Sequence, residues 1–204
     1  MSQGEPKEYE TFTDWARAKG SIITYPIARV LNRWGVHPNT ITLSGLVLAI
    51  AVSVLIAFGY TRLGGALLLL TSSVDALDGA LARVGGQRSR FGAFLDSTLD
   101  RISEGVLMFG LLVALYPRDS ALEIYLIFAT LLGAMMVSYT RARAEGLGYS
   151  CKTGLLTRIE RIILLGVCLL FDWIRPALIL LAALSWFTAL QRIFYVYREA
   201  RRNP

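Results

Sequence analysis

The chain has 204 residues, is 54% hydrophobic with a mean hydropathy of +0.51, and carries a net charge of +6. So apolar and short a chain suits a polytopic membrane protein and leaves no room for a separate soluble domain. The basic charge is split among short segments rather than gathered on one face, which argues against a nucleic-acid partner. Cys151 falls in a loop and Cys168 inside an apolar run, so no disulfide is expected.

The first 35 residues are polar and mixed, with Lys7, Arg17, Lys19, Arg29 and Arg33, and hold no apolar core of the kind a secretory signal needs. From Thr11 to Trp34 apolar residues recur among the arginines: Phe12, Trp15, Ile22, Ile23, Tyr25, Ile27, Val30, Leu31 and Trp34. This pattern predicts an amphipathic helix in the membrane interface, anchored by Trp15 and Trp34; the plainer alternative is a polar tail with one surface helix. Six apolar stretches follow, at 41–60, 63–82, 93–115, 121–140, 155–172 and 174–196. Each approaches the ~20 residues a helix needs to cross a bilayer. The expected fold is therefore all-α, with six transmembrane helices in one domain (36–197) between an N-terminal segment (1–35) and a basic tail (198–204).

Lys and Arg concentrate before the first stretch, between the second and third (Arg83, Arg88, Arg90), between the fourth and fifth (Arg141, Arg143, Lys152) and in the tail (Arg198, Arg201, Arg202). The opposite connections carry only Arg62, Arg118 and Arg175. The positive-inside rule then places both termini and the acid-bearing loop in the cytoplasm, the expected membrane being the plasma membrane. Basic charge there suits anionic headgroups or a phosphorylated substrate.

The most informative run is Asp75-x2-Asp78-Gly79-x2-Ala82-Arg83-x8-Gly92-x3-Asp96-x3-Asp100. Asp75 and Asp78 share one helical face, as do Asp96 and Asp100. The short connection from Val84 to Phe91 makes the two helices expected antiparallel neighbours. Carboxylates beside or within a membrane need a counter-charge, and hard oxygen ligands suit Mg²⁺, or Mn²⁺ in its place. Four of them suffice for two ions. Gly79, Ala82 and Gly92 remove side-chain bulk next to the acids, while Arg83, Arg88, Ser89 and Arg90 offer donors to phosphate oxygens. Taken singly, Gly79 or Ala82 serves helix packing equally well. The lone His37, before Pro38 at the membrane entrance, reads as structural rather than catalytic.

The complete run resembles the signature of the CDP-alcohol phosphotransferase family, with every fixed position present, and the likeness extends over most of the chain from Tyr25. The resemblance implies cleavage of a CDP-linked lipid such as CDP-diacylglycerol, with release of CMP and transfer of the phosphatidyl group to an alcohol. It implies that Asp75, Asp78, Asp96 and Asp100 bind the two ions and that Asp100 is also the general base. By the same likeness His37, Pro38, Asn39, Thr40, Gly79, Arg83 and Ser89 hold the CDP-lipid, and a homodimer is expected.

A second segment, Ser138-Tyr139-Thr140-Arg141-Ala142-Arg143-Ala144-Glu145, is followed by Arg158-Ile159-Glu160-Arg161 and, later, by Arg192. These runs resemble the subgroup that uses inositol 1-phosphate, the phosphatidylinositol phosphate and archaetidylinositol phosphate synthases. Arg141 stands where many of them have Lys, and Ile159 where they have Pro. On charge alone, Arg141, Arg143, Arg158, Arg161 and Arg192 suit an acceptor that already bears a phosphate, with Ser138 beside them. As flanking charges they equally serve lipid headgroups. Glu160 is the expected ion-pair partner of Arg158 and Arg161. Glycerol 3-phosphate, as in a phosphatidylglycerophosphate synthase, is the competing acceptor. A cation transporter is a remote alternative, and no internal repeat supports it.

Overall fold

The computed structural model describes residues 24–86, 89–118, 121–151 and 153–202, except the side chains at 73–76, 78 and 118. Residues 24–33 are helical (α1). Six longer helices follow: α2 (Pro38–Ala57), α3 (Thr61–Val84), α4 (Arg90–Leu115), α5 (Ala121–Gly146), α6 (Arg158–Leu170) and α7 (Ile174–Arg202), with a 3₁₀ turn Tyr116–Arg118 after α4. No strand occurs among the described residues. Trp15 and most of the segment expected to lie in the interface fall outside the described residues; Trp34 is exposed just after α1.

Helix starts follow local capping chemistry. His37 caps α2, its Nδ1 accepting the Asn39 N–H at 3.2 Å, and Pro38 supplies a first-turn residue that needs no donor. Ser89 caps α4 by accepting the Gly92 N–H at 2.9 Å. Glu160 reaches back one turn to accept from the N–H (2.9 Å) and the hydroxyl of Thr157, which closes the start of α6.

Of the six, α2, α5 and α7 are long and apolar enough to cross a membrane on length and composition alone. The helices α3 and α4 carry the acids and bases of the signature, and α6 has only 13 residues, about 20 Å of rise. Outward-facing Phe109, Phe128, Phe187 and Leu190 make the surface suited to lipid rather than water. Exposed Phe58, Tyr60, Tyr116, Tyr125, Phe171 and Trp173 gather at the helix ends remote from the signature, as an aromatic belt would.

The principal packing pairs close a ring: α2 lies against α3 and α4, α4 against α5, α5 against α7, α7 against α6, and α6 against α3. Among the described residues, α3 and α4 each pack more extensively against α2 than against each other. The main apolar core joins Val52 and Ile56 of α2, Leu107 and Leu111 of α4, Leu165 and Leu169 of α6, and Leu178 and Leu181 of α7. A smaller cluster, Ala28, Ile41, Ala80 and Leu81, seats α1 on α2 and α3.

Glycines set the closest crossings, as expected where helices associate in lipid through small residues. A Cβ on Gly65 would lie 2.7 Å from the Gly166 carbonyl oxygen, so α3 and α6 meet backbone to backbone. A Cβ on Gly110 would lie 2.5 Å from both the carbonyl oxygen and the Oγ of Ser53, whose hydroxyl donates to the Val106 carbonyl at 2.6 Å. Gly110→Ala should therefore destabilise the protein by about 1–3 kcal/mol through overpacking of α2 on α4. Gly105→Ala, where the added carbon meets nothing within 4 Å, should be neutral or mildly stabilising. Thermal unfolding of the two variants in detergent checks the pair.

Candidate active site

Around the start of α4 the gap left between α3 and α4 forms a cavity of about 320 Å³. Its wall is Pro38, Asn39 and Thr42 of α2, Gly79, Ala82 and Arg83 of α3, and Ser89, Gly92, Ala93 and Asp96 at the start of α4. The space exists because small residues line it. A Cβ on Gly92 would press on Ser89 Oγ at 3.0 Å and Asn39 Oδ1 at 3.3 Å, and one on Gly79 would meet Arg83 Nη1 at 3.7 Å. The Arg83 guanidinium also lies 5.7 Å from the centroid of the Tyr25 ring, which ties α1 to the cavity wall.

Of the residues expected to hold a CDP-lipid, Pro38, Asn39, Gly79, Arg83 and Ser89 share this wall. His37 is the cap of α2, and Thr40 is exposed outside the wall. Sequence reasoning passed over Thr42 and Ala93; Thr42 stands four positions after Pro38, on its helical face. Arg88 lies outside the described residues.

Of the four acids, Asp96 lines the cavity and Asp100 stands one turn deeper on α4. The helix period puts positions 75, 78, 79 and 82 of α3 on one stripe, so the backbone brings Asp75 and Asp78 to the face that carries Gly79 and Ala82. Their side chains are outside the described set, and among the described residues no three metal-ligating side chains converge. Carboxylate oxygens beside glycines that leave the backbone open are the donor chemistry a hard divalent ion takes.

Asp100 is tied across the ring. Arg158 Nη1 donates to its Oδ1 at 2.8 Å, and Arg101 Nη1 lies 3.5 Å from Oδ2. One turn further along α4, Glu104 receives a two-pronged bond from Arg161: Nε to Oε1 at 2.6 Å and Nη2 to Oε2 at 2.9 Å. Arg161 is 3% exposed and also donates to the Leu156 carbonyl at 3.3 Å. Its charged partner is thus Glu104, on another helix, rather than the adjacent Glu160. Glu104 went unnoticed in the sequence, although Asp96, Asp100 and Glu104 continue one series at intervals of four.

The other basic residues divide by burial. Arg141 and Arg143 are exposed at the end of α5, Arg141 paired with Glu145 at 2.8 Å, and Ser138 is half-buried one turn earlier. Arg192 is 3% exposed and binds backbone, its Nε donating to the Thr153 carbonyl at 2.8 Å and its Nη1 to the Val137 carbonyl. Together with Leu156 N–H donating to Thr188 Oγ1 at 3.1 Å, these bonds pin the α5–α6 connection against α7.

A ring of helices, three of them long and apolar enough to cross a membrane, with a cavity that presents Arg83 beside a carboxylate series, defines an integral membrane protein with a site for an anionic substrate. The CDP-alcohol phosphatidyltransferase model matches residues 35–194, and the chain belongs to that family of transferases. It is 38% identical over 169 residues to the archaetidylinositol phosphate synthase of Pyrococcus horikoshii, covering 82% of this chain and 87% of the relative. It is 39% identical over 152 residues to the phosphatidylinositol phosphate synthase of Mycobacterium tuberculosis, covering 73% and 70%. The crystal structure of that mycobacterial synthase with CDP-DAG bound superposes with a TM-score of 0.79 at 34% identity, covering 86% of this chain and 94% of that one. The same enzyme in complex with manganese and citrate gives a TM-score of 0.80 at 32% identity, over 85% and 88%. Membership in a transferase family sets the transporter reading aside.

Cys151, in the pinned connection, is fully buried. Burial pushes its thiol above the usual cysteine range, although Arg192 and Arg141 nearby pull the other way. A raised value means less thiolate at any given pH, so a maleimide at pH 7.5 should leave the folded protein unlabelled. Labelling should appear only once detergent denaturation opens the loop, a difference read by intact mass.

Proposed function

We propose that the protein transfers the phosphatidyl group of CDP-diacylglycerol to inositol 1-phosphate, releasing CMP and forming phosphatidylinositol phosphate. One observation carries the reading: a guanidinium able to bind phosphate, Arg158, rests against the Asp100 carboxylate at 2.8 Å. An acceptor whose phosphate engages Arg158 presents its hydroxyls to Asp100. Neutral inositol and cationic choline offer Arg158 no phosphate to bind. The named relatives favour inositol 1-phosphate over glycerol 3-phosphate.

The CDP-lipid occupies the cavity, with Arg83 and Ser89 toward the diphosphate, Asn39 and Thr42 on the α2 side, and Gly79 and Gly92 allowing close backbone approach. His37, Pro38 and Thr40 shape the entrance through the first turn of α2. Ser138, Arg141, Arg143 and Arg158 meet the acceptor phosphate. Arg161 and Arg192, occupied by Glu104 and by backbone carbonyls, stand beneath them and brace the layer. Asp75, Asp78, Asp96 and Asp100 hold two Mg²⁺ ions, or Mn²⁺. When bound, the ions neutralise charge on the phosphoryl oxygens and on departing CMP.

Asp100 accepts the proton of the attacking inositol hydroxyl. The freed oxygen bonds to the β-phosphorus as the bond from that phosphorus to the bridging oxygen breaks, and the electron pair leaves with CMP. No covalent enzyme intermediate is required. All six long helices lie in the plasma membrane, α1 rests in the interface, and both termini and the site face the cytoplasm. The working unit is a homodimer.

With purified protein in detergent, CDP-diacylglycerol and Mg²⁺, CMP release should occur with inositol 1-phosphate and not with free inositol or glycerol 3-phosphate. Turnover confined to glycerol 3-phosphate would overturn the acceptor assignment. Chelation with EDTA should abolish release, and added Mg²⁺ or Mn²⁺ should restore it. Asp100→Asn should lower kcat by at least about a hundredfold while CDP-diacylglycerol affinity stays close to wild type; an equal loss of binding would remove Asp100 from the role of base.

A further inference from the structure

Two charged rungs cross the interior of the ring from α4 to α6, and only the upper and more exposed one, Asp100–Arg158, has a part in the proposed reaction. The lower, Glu104–Arg161, lies one turn away on each helix, and its geometry is the better formed. Its two parallel bonds match guanidinium to carboxylate, and the pair is nearly sealed from solvent, with side-chain exposures of 3% for Arg161 and 12% for Glu104. Glu104 and Arg158 further line one small cavity of about 30 Å³, whose wall is otherwise apolar (Ala49, Leu68, Leu107 and Ile162) apart from Thr71, Ser72 and Ser103. The rungs are thus neighbours around one shared, largely apolar space.

In a low-dielectric interior a guanidinium cannot remain unpaired; it turns to the nearest carboxylate. For Arg161 that carboxylate is Glu104, and the next along the same face of α4 is Asp100, four residues away. We propose that Glu104 is a positioning residue for the transfer: by occupying Arg161 it keeps Asp100 available to Arg158 and to the acceptor hydroxyl. Without its charge, Arg161 swings up to Asp100, displaces Arg158 and ties up the carboxylate that takes the proton. This role rests on the reading of Asp100 as base and Arg158 as phosphate ligand. It assigns Arg161 to the frame of the acceptor site rather than to the acceptor.

The test uses the full-length protein in detergent with CDP-diacylglycerol, Mg²⁺ and whichever phosphorylated polyol the wild type turns over. A wild-type preference for glycerol 3-phosphate would thus refute the acceptor assignment and leave the role of Glu104 open to the same assay. Glu104→Gln should raise the acceptor KM at least about tenfold and lower kcat, while the CDP-diacylglycerol Kd, measured by calorimetry, stays within about twofold. The double variant E104Q/R161Q, which removes the stray cation as well, should recover most of the loss in acceptor KM. A folded E104Q with unchanged acceptor KM, equal losses for both ligands, or a double variant no better than the single would each overturn the proposal. If E104Q does not survive purification, Glu104→Asp keeps the charge but draws it back from Arg161, and the acceptor KM should still rise selectively. An unchanged KM there would overturn the proposal as well.

Discussion

Charge buried among apolar helices is tolerated only when it is answered, and the interior of this ring is organised by that requirement. Arg161 and Glu104 meet with both prongs satisfied, Arg158 answers Asp100, and Arg192 spends its donors on the carbonyls of Thr153 and Val137. Removing one member of a buried pair typically costs about 3–5 kcal/mol, because the partner is left charged and alone. These links also join elements that are not packing neighbours. The α4–α6 rungs cross the ring, whereas Arg192 ties α5, α7 and the connection before α6 into one unit. The polar interior is therefore both a structural brace and the chemical floor of the site.

The two substrates are met by different materials. On the donor side the wall is mostly backbone and small side chains: Gly79, Ala82, Gly92 and Ala93, with Arg83 and Ser89 as the polar contributions. It recognises by shape and by close approach. On the proposed acceptor side the surface is long cationic side chains over a braced layer. Only such a surface separates polyols by whether they carry a phosphate, since a site built for a charged group leaves its own charges unpaired when that group is missing. Asp100 stands where the two meet, one turn beyond the cavity acid Asp96 and in contact with Arg158.

The helices were legible in the sequence because long apolar runs leave little alternative. The run at 63–82 matches Thr61–Val84 and the run at 93–115 matches Arg90–Leu115. Hydropathy reports where lipid contact ends rather than where the backbone stops winding. Hence α5 and α7 run on to Gly146 and Arg202, well past their apolar stretches, while α6 is trimmed by its Thr157–Glu160 cap to Arg158–Leu170. Neighbour relations were not legible. A short loop between α3 and α4 limits the distance between two helix ends, not which helix each packs against most, and among the described residues that helix is α2 for both. The acid series was visible from spacing alone. The partner of Arg161 was not, because Glu104 is 57 residues away in sequence and reached only across the folded ring.

The shortness of α6 bears on how a water-soluble sugar phosphate and a lipid come to share one site. Its 13 residues rise about 20 Å, against roughly 30 Å of hydrocarbon. At the end where Arg158 begins the helix, the connection before it is held by Arg161, Arg192 and Thr188. Set in a bilayer as proposed, a helix this short would draw the headgroup layer inward, by local thinning of one leaflet or by a funnel of water. The membrane itself would then be part of the active-site architecture. The nucleotide-lipid would react without being lifted from the bilayer, because the aqueous phase would descend to meet it.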